Sequence, residues 1–267
     1  MRKFIIWLGV VFSILFLCSC TPKDALTVTT LDVGKGDCIL ITVKDSAMLV
    51  DTGYEDTVDT VLEALEQKKI TSLDYLIITH FDRDHVGGAA ELLKQIPVDE
   101  IITPDYKENS DEYDAFKKEA KTKTWTKLTS SREIMLDTAI LQIAPPQKEE
   151  YDQDNDYSLV LRLTHGQNTF LFAGDAEEER IQELLSEGDL SATYLKVPHH
   201  GRPEESSAAF FEAVQPQFAV ITCAADSPAP EELAETTTLL ENLGCRVYST
   251  KNGTVTAQSN GETIKIK

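Results

Sequence analysis

Positive charge is scarce in this chain. Lys and Arg number 25 against 45 Asp and Glu, a net of −20. Non-specific nucleic-acid binding rests on basic side chains meeting phosphates, so this balance argues against a tight general DNA binder. It does not exclude a phosphodiester substrate, because bound divalent metals reverse the sign locally. Cysteine is sparse as well, with five residues at 18, 20, 38, 223 and 245 and none at a metal-type spacing. Internal repeats and low-complexity linkers are missing, which leaves 267 residues for one large domain with a full core. The one long uncharged apolar run, residues 4–17, falls short of the roughly 20 residues a membrane-spanning helix needs.

That run belongs to a leader. Arg2 and Lys3 precede it, and Leu17-Cys18-Ser19-Cys20 follows, with small residues ahead of a cysteine. This is secretory signal architecture and lies outside fold reasoning. Its end resembles the lipobox of bacterial lipoproteins. The resemblance implies a signal peptide over 1–19, cleavage before Cys20, acylation of that cysteine, and a domain over 20–267 anchored to the membrane outside the cytoplasm. The mature chain then carries 45 acids against 23 bases, a net of −22. Three thiols remain, an odd number for an oxidising compartment. Cys223 and Cys245 lie in or beside β-type runs and can pair; the alternative is three buried thiols acting as small apolar residues.

What the chain does have is clustered histidine. Four of its five histidines fall in two short segments, His80-Phe-Asp-Arg-Asp-His85 and Pro198-His-His-Gly201, each directly after an apolar run. Alternating residues around 27–33, 38–43, 47–50, 73–79, 98–102, 134–143, 158–163, 169–173, 194–197, 218–222, 246–249 and 254–267 predict strands. Helical spacing predicts helices over 57–69, 87–95, 111–121, 177–186, 206–214 and 231–243. Residues 104–131 otherwise read as loop, and 145–156 as an acidic loop. His165-Gly-Gln-Asn168 reads as a hairpin tip. Strands dominating each half, punctuated by helices, suit two sheets packed face to face with helices outside, an α/β four-layer αββα sandwich.

Both histidine segments are built like metal sites. His80 and Asp82, two apart at a strand end, point to one side, while Asp84 and His85 occupy the next turn, so one loop can feed two ions. Imidazole with carboxylate suits Zn²⁺ or Mn²⁺. One of His199 and His200 is expected to ligate, and the other to donate a proton or hydrogen bond. Asp175 ends a strand in Phe172-Ala-Gly-Asp175 and, given the histidines, reads as a bridging carboxylate. His165 is expected to be exposed and outside the site.

These segments resemble the metallo-β-lactamase superfamily, and more narrowly the hydrolase-like domain of the ComEC competence proteins. The matching pieces are Leu31-Asp-Val-Gly-Lys-Gly-Asp37, Leu49-Val-Asp-Thr-Gly53, Thr79-His-Phe-Asp-Arg-Asp-His-Val-Gly-Gly88, Asn155-Asp-Tyr-Ser-Leu-Val-Leu-Arg-Leu163, Phe170-Leu-Phe-Ala-Gly-Asp175 and Leu195-Lys-Val-Pro-His-His-Gly201, in the family's order. The membrane-channel portion of those proteins is absent, so a stand-alone domain is expected. The resemblance implies two divalent ions, Zn²⁺ or Mn²⁺. His80, Asp82 and Asp175 serve the first, with Asp175 bridging; Asp84, His85 and one of His199 and His200 hold the second; Asp51 orients the His80–His85 loop. Histidine is commoner in the superfamily where Asp82 stands, and a further histidine often precedes the Asp175 segment, where this chain has Asn155 and Ser158. The ComEC branch shares both departures. An oxygen-rich first site makes Mn²⁺ or Mg²⁺ competitive with Zn²⁺.

The resulting expectation is a lipid-anchored metallo-hydrolase cleaving a phosphodiester, with Asp84 and the His199–His200 pair in the catalytic machinery. Nucleic acid is the substrate the resemblance implies. A cell-wall phosphodiester such as a choline-phosphate ester on teichoic acid is the alternative the charge favours. A metal-stabilised binding module without turnover is the third reading.

Overall fold

A computed structural model describes residues 25–224 and 227–267. The leader and Cys20 lie outside the described residues. Among the described residues, fifteen strands form two sheets, and seven α-helices cover them. The first sheet has eight strands and the second seven.

Each sheet is half antiparallel and half parallel. In the first, β1 (Leu26–Thr30), β2 (Ile39–Val43) and β3 (Ser46–Val50) form a meander. β4 (Leu73–Ile77), β5 (Val98–Pro104) and β6 (Trp125–Leu128) then extend it in parallel from β3. In the second, β7 (Arg132–Leu136), β8 (Ala139–Ala144), β9 (Val160–His165) and β10 (Asn168–Phe172) are antiparallel. β11 (Tyr194–Lys196), β12 (Phe218–Ile221) and β13 (Arg246–Ser249) follow in parallel from β10. β14 (Val255–Ser259) and β15 (Ile264–Ile266) return to the first sheet beside β1.

Three apolar layers explain the stacking. Val28, Ile41, Val50, Leu141, Leu163 and Phe172 belong to the core between the sheets. Outside the first sheet, α1 (Val58–Gln67), α3 (Ala89–Gln95) and α4 (Asp111–Ala120) bury Val61, Leu92 and Phe116. Outside the second, α5 (Glu178–Glu187), α6 (Ser207–Val214) and α7 (Pro230–Asn242) bury Leu184, Phe210 and Leu240. A strand buried on both faces reads as a continuous apolar run, which is why 73–78 and 218–221 carry so few polar residues. The αββα sandwich expected from the sequence is the observed fold.

Three local expectations are corrected. Residues 125–128, expected as loop, form edge strand β6, where the Trp125 indole donates to Thr103 Oγ1 at 3.0 Å and its ring meets Phe116 edge-on. The helix expected over 87–95 begins at Ala89 as α3, and the turn expected ahead of it is itself a short helix, α2 (Arg83–Val86), separated from α3 by Gly87-Gly88, so Asp84 and His85 sit on a helical turn. His165 is buried rather than exposed, because Ser259 at the end of β14 closes over it and meets its Nδ1 at 2.9 Å. Cys38, Cys223 and Cys245 are buried free thiols.

Candidate metal centre

The parallel halves of both sheets release their chains at the same end of the sandwich, where ligands of open α/β sheets gather. Asp51 follows β3, the segment 79–85 follows β4, Asp175 follows β10, and His199 and His200 follow β11. Asp37, in the turn between β1 and β2, enters beside them. Its neighbour Gly36 is docked so tightly that a Cβ there would lie 2.4 Å from the Asp84 carbonyl oxygen, and only glycine permits that approach. Gly174, at φ +55, likewise lets the Asp175 segment pass Ser158.

Three imidazoles each have a partner on Nδ1. Asp51 Oδ2 takes His85 Nδ1 at 2.9 Å, while Thr79 gives Asp51 its backbone N–H and its hydroxyl, each at 2.7 Å. His80 Nδ1 meets Thr79 Oγ1 at 3.2 Å and Ser158 Oγ at 3.4 Å. His200 Nδ1 meets Thr222 Oγ1 at 3.0 Å, and that hydroxyl donates to Asp37 Oδ1 at 2.5 Å. A proton held on Nδ1 by these partners would leave the Nε2 lone pair of each ring facing inward. A carboxylate or hydroxyl that fixes the far side of a ring is how proteins present histidine to a metal.

The Nε2 atoms of His80, His85 and His200 are all buried and make no hydrogen bond. His85 Nε2 lies 3.3 Å from Asp175 Oδ1, and His200 Nε2 lies 2.8 Å from Asp175 Oδ2 and 3.4 Å from Asp84 Oδ2, close approaches that lack hydrogen-bond alignment. The donor atoms of His80, His85 and Asp175 lie within 4.8 Å of one another, and so do those of Asp84, His85 and His200. Buried polar atoms left unpaired are costly, so three such lone pairs converging on two carboxylates fit divalent cations. Electrostatics point the same way. Burial disfavours charge on Asp84 and Asp175, yet His200 and His85 in their protonated form, with Lys196 added for Asp175, hold both carboxyls well below the usual range, a positive charge that a bound cation would supply in their place.

Asp82 stands at the rim, its side chain 43% exposed and its Oδ2 3.9 Å from His80 Nε2. Of the His199–His200 pair, His200 faces the cluster. His199 turns away, with Nδ1 3.3 Å from Glu177 and 3.6 Å from Glu204. Both adopt left-handed backbone, at φ 45 and 54. His165 lies outside the cluster.

Sequence reasoning missed Asp37 and Lys196. Lys196 is fully buried on β11, its Nζ 2.5 Å from Asp37 Oδ2, 3.1 Å from the Gly174 carbonyl and 3.5 Å from Asp175 Oδ1. A lysine inside the apolar run 194–197 is the signal that could have found it, since lysine is almost never fully buried unless paired.

A two-sheet sandwich with strand-end histidines and carboxylates is the architecture of metal-dependent hydrolases of one family. Residues 31–224 match the metallo-beta-lactamase superfamily, and the chain belongs to it. Its relatives narrow the type to that of the competence proteins. "Recombination protein 2" of Haemophilus influenzae is 32% identical over 207 residues, 75% of this chain and 24% of the relative. "ComE operon protein 3" of Bacillus subtilis is 26% identical over 267 residues, 92% of this chain and 34% of the relative. The chain thus spans about a quarter to a third of the length of these relatives. Among solved structures, the metallo-beta-lactamase fold protein YhfI of Bacillus subtilis has a TM-score of 0.58 at 12% identity, covering 91% of this chain and 100% of that one. CmlA, a diiron beta-hydroxylase of Streptomyces venezuelae, has a TM-score of 0.56 at 12% identity, covering 85% and 53%. Both likenesses concern the fold.

Proposed function

We propose that the protein is a metal-dependent phosphodiesterase of nuclease type, acting outside the cytoplasm and held to the membrane by lipid on Cys20. The observation that carries the reading is the convergence of three unpaired imidazole lone pairs on Asp84 and Asp175. His80, His85, His200, Asp84 and Asp175 would hold divalent ions, with Asp82 at the rim of the His80 side. Ions bound there supply a Lewis acid for the phosphoryl group and lower the pKa of water toward neutrality.

The remaining work falls to the chain. A cleft of about 710 Å³ opens beside the centre, lined by Lys35, Tyr54, Arg83, Glu108 and Asp154 among others. Lys35 Nζ sits 3.0 Å from Asp84 Oδ2, and the Arg83 guanidinium lies over the Tyr54 ring at 5.8 Å. These two cations are placed to receive the non-bridging oxygens of a diester. Burial, with Asp84 close by, pushes the Tyr54 hydroxyl up to about 12, so it stays protonated and can donate to a phosphate oxygen. Burial lowers His199 to about 4 against the pull of Asp175, so its ring would be neutral at pH 7. Names given to relatives, recombination and competence proteins, favour nucleic acid as substrate.

A cell-wall phosphodiester is the second reading. It is favoured by the acidic balance of the chain and by Glu108, Glu112 and Asp154 on the same cleft. Turnover of bis(p-nitrophenyl) phosphate, single-stranded DNA and choline-phosphate teichoic acid, each with Mn²⁺ and Zn²⁺, separates these readings. DNA cleavage supports the first and wall-polymer cleavage alone supports the second. No turnover with any metal leaves a binding module. Cys20→Ala should release the protein from the membrane or block maturation; unchanged membrane attachment would sink the lipid anchor.

A further inference from the structure

His199 presents a different problem from its neighbour. Its residue is only 6% exposed, and its Nδ1 is buried without a hydrogen bond. That atom is aimed between two carboxylates, Glu177 Oε1 at 3.3 Å and Glu204 Oε1 at 3.6 Å. Asn155 adds a second orphan at the same place. Its Nδ2 donates to Glu177 Oε1 at 2.7 Å, and its buried Oδ1 has no partner.

We propose that Glu177, His199 and Glu204 form a third cation site, separate from the paired centre, that takes one divalent ion of the Mn²⁺ type. The spacing fits. Two donors each ~2.1 Å from an ion stand about 3.0 Å apart in octahedral geometry and about 3.4 Å apart in tetrahedral geometry. The donor atoms of the three residues lie within 4.8 Å of one another. One imidazole with two carboxylates is a borderline-hard set suited to Mn²⁺ over soft ions.

Charge supplies an independent argument. Glu178 and Asp156 add their charges to those of Glu177 and Glu204, so four acids crowd one recess. Arg202 reaches the far side of the ring, Nη1 to His199 Nε2 at 3.4 Å, where Asn155 Nδ2 also stands at 3.5 Å. The Arg202 side chain is 43% exposed and divided with Glu232 at 3.7 Å, so it has room to turn aside when Nε2 takes the proton and Nδ1 the ion. The left-handed backbone at His199 points the ring out of the paired centre and into this recess.

Metal-depleted protein titrated with Mn²⁺, with bound ion counted by electron paramagnetic resonance, reads the site without any substrate. Wild type should take three equivalents, and Glu177→Gln/Glu204→Gln two. Titration of ¹⁵N-histidine-labelled wild type with diamagnetic Zn²⁺ is the second measurement, and it needs no variant. The His199 Nδ1 resonance should move only after two equivalents are bound. Saturation of wild type at two equivalents, three equivalents retained by the double variant, or a His199 nitrogen that never shifts would each overturn the proposal. Ion counting is independent of diester turnover, so a protein that binds three ions and cleaves nothing refutes the proposed activity and leaves this site standing.

Discussion

The loop after β4 and the turn after β11 deliver imidazoles to one pocket by opposite means. In the first, side chains do the aiming: Asp51 receives three hydrogen bonds, two from Thr79 and one from His85, and all three residues are buried. In the second, the backbone does it. His199 and His200 both stand in the left-handed region, which costs about 1–2 kcal/mol per residue for a side chain with Cβ, and a single hydroxyl, Thr222, steadies the His200 ring. A site aimed by side chains fails when its buried anchor is removed. A site aimed by backbone tolerates the loss of a side-chain partner, because the ring cannot swing far from where the strained turn puts it.

The largest effect expected is at a residue common to both loops. Asp84 rides on the first and meets His200 of the second. Asp84→Ala should lower diester turnover by on the order of 10³-fold and reduce metal content per protein by elemental analysis. Wild-type values for both would remove Asp84 from the centre. Next comes the contrast itself. Asp51→Asn breaks a buried, fully bonded anchor and should cost about 3–5 kcal/mol in denaturant unfolding, with metal affinity down about 10–100-fold. Thr222→Val should cost only about 1 kcal/mol and leave affinity within several-fold. Equal losses would show that the two loops are aimed alike.

A smaller, qualitative change is expected at Asp82. An oxygen donor there favours Mn²⁺ on the His80 side, and Asp82→His should move that preference toward Zn²⁺ in metal titrations. Identical preference in the two proteins would mean that Asp82 does not touch the ion. Smallest is His165→Ala, which removes the Nδ1 contact to Ser259 and should cost about 1–2 kcal/mol of stability while leaving turnover and metal content unchanged. A loss of metal there would extend the centre to a place the geometry does not reach.

The strand-end histidines were legible because imidazoles and carboxylates packed into the turn after a buried strand suit metal ligation far better than they suit a plain surface turn. The sandwich was legible from alternation and run length. Choosing between His199 and His200 was not, since adjacent residues in a turn of unknown backbone point in unknown directions and the two left-handed conformers decide it. Asp37 was hidden in a short Gly-Lys-Gly turn, and its role depends on Thr222, 185 residues away. The burial of His165 was hidden for the same reason: its partner Ser259 is 94 residues distant and belongs to the other sheet. Strand β6 was masked by its polar edge position, where only Trp125 and Leu128 among its four residues face apolar neighbours.

Lys196 has a consequence for the order of events. Four acids, Asp37, Asp51, Asp84 and Asp175, are drawn together at one end of the sandwich, and such a gathering would ordinarily hold the chain open by repulsion until an ion arrived. The ammonium between Asp37 and Asp175 is a resident counter-charge encoded in the polypeptide itself. That charge offsets part of the repulsion and would let collapse precede ion capture, unlike in zinc-finger domains, where they are one event. A chain exported as proposed would therefore reach its final shape first and take its metal from the surroundings afterwards, so its cargo of ions would report the medium in which it works rather than the compartment in which it was made.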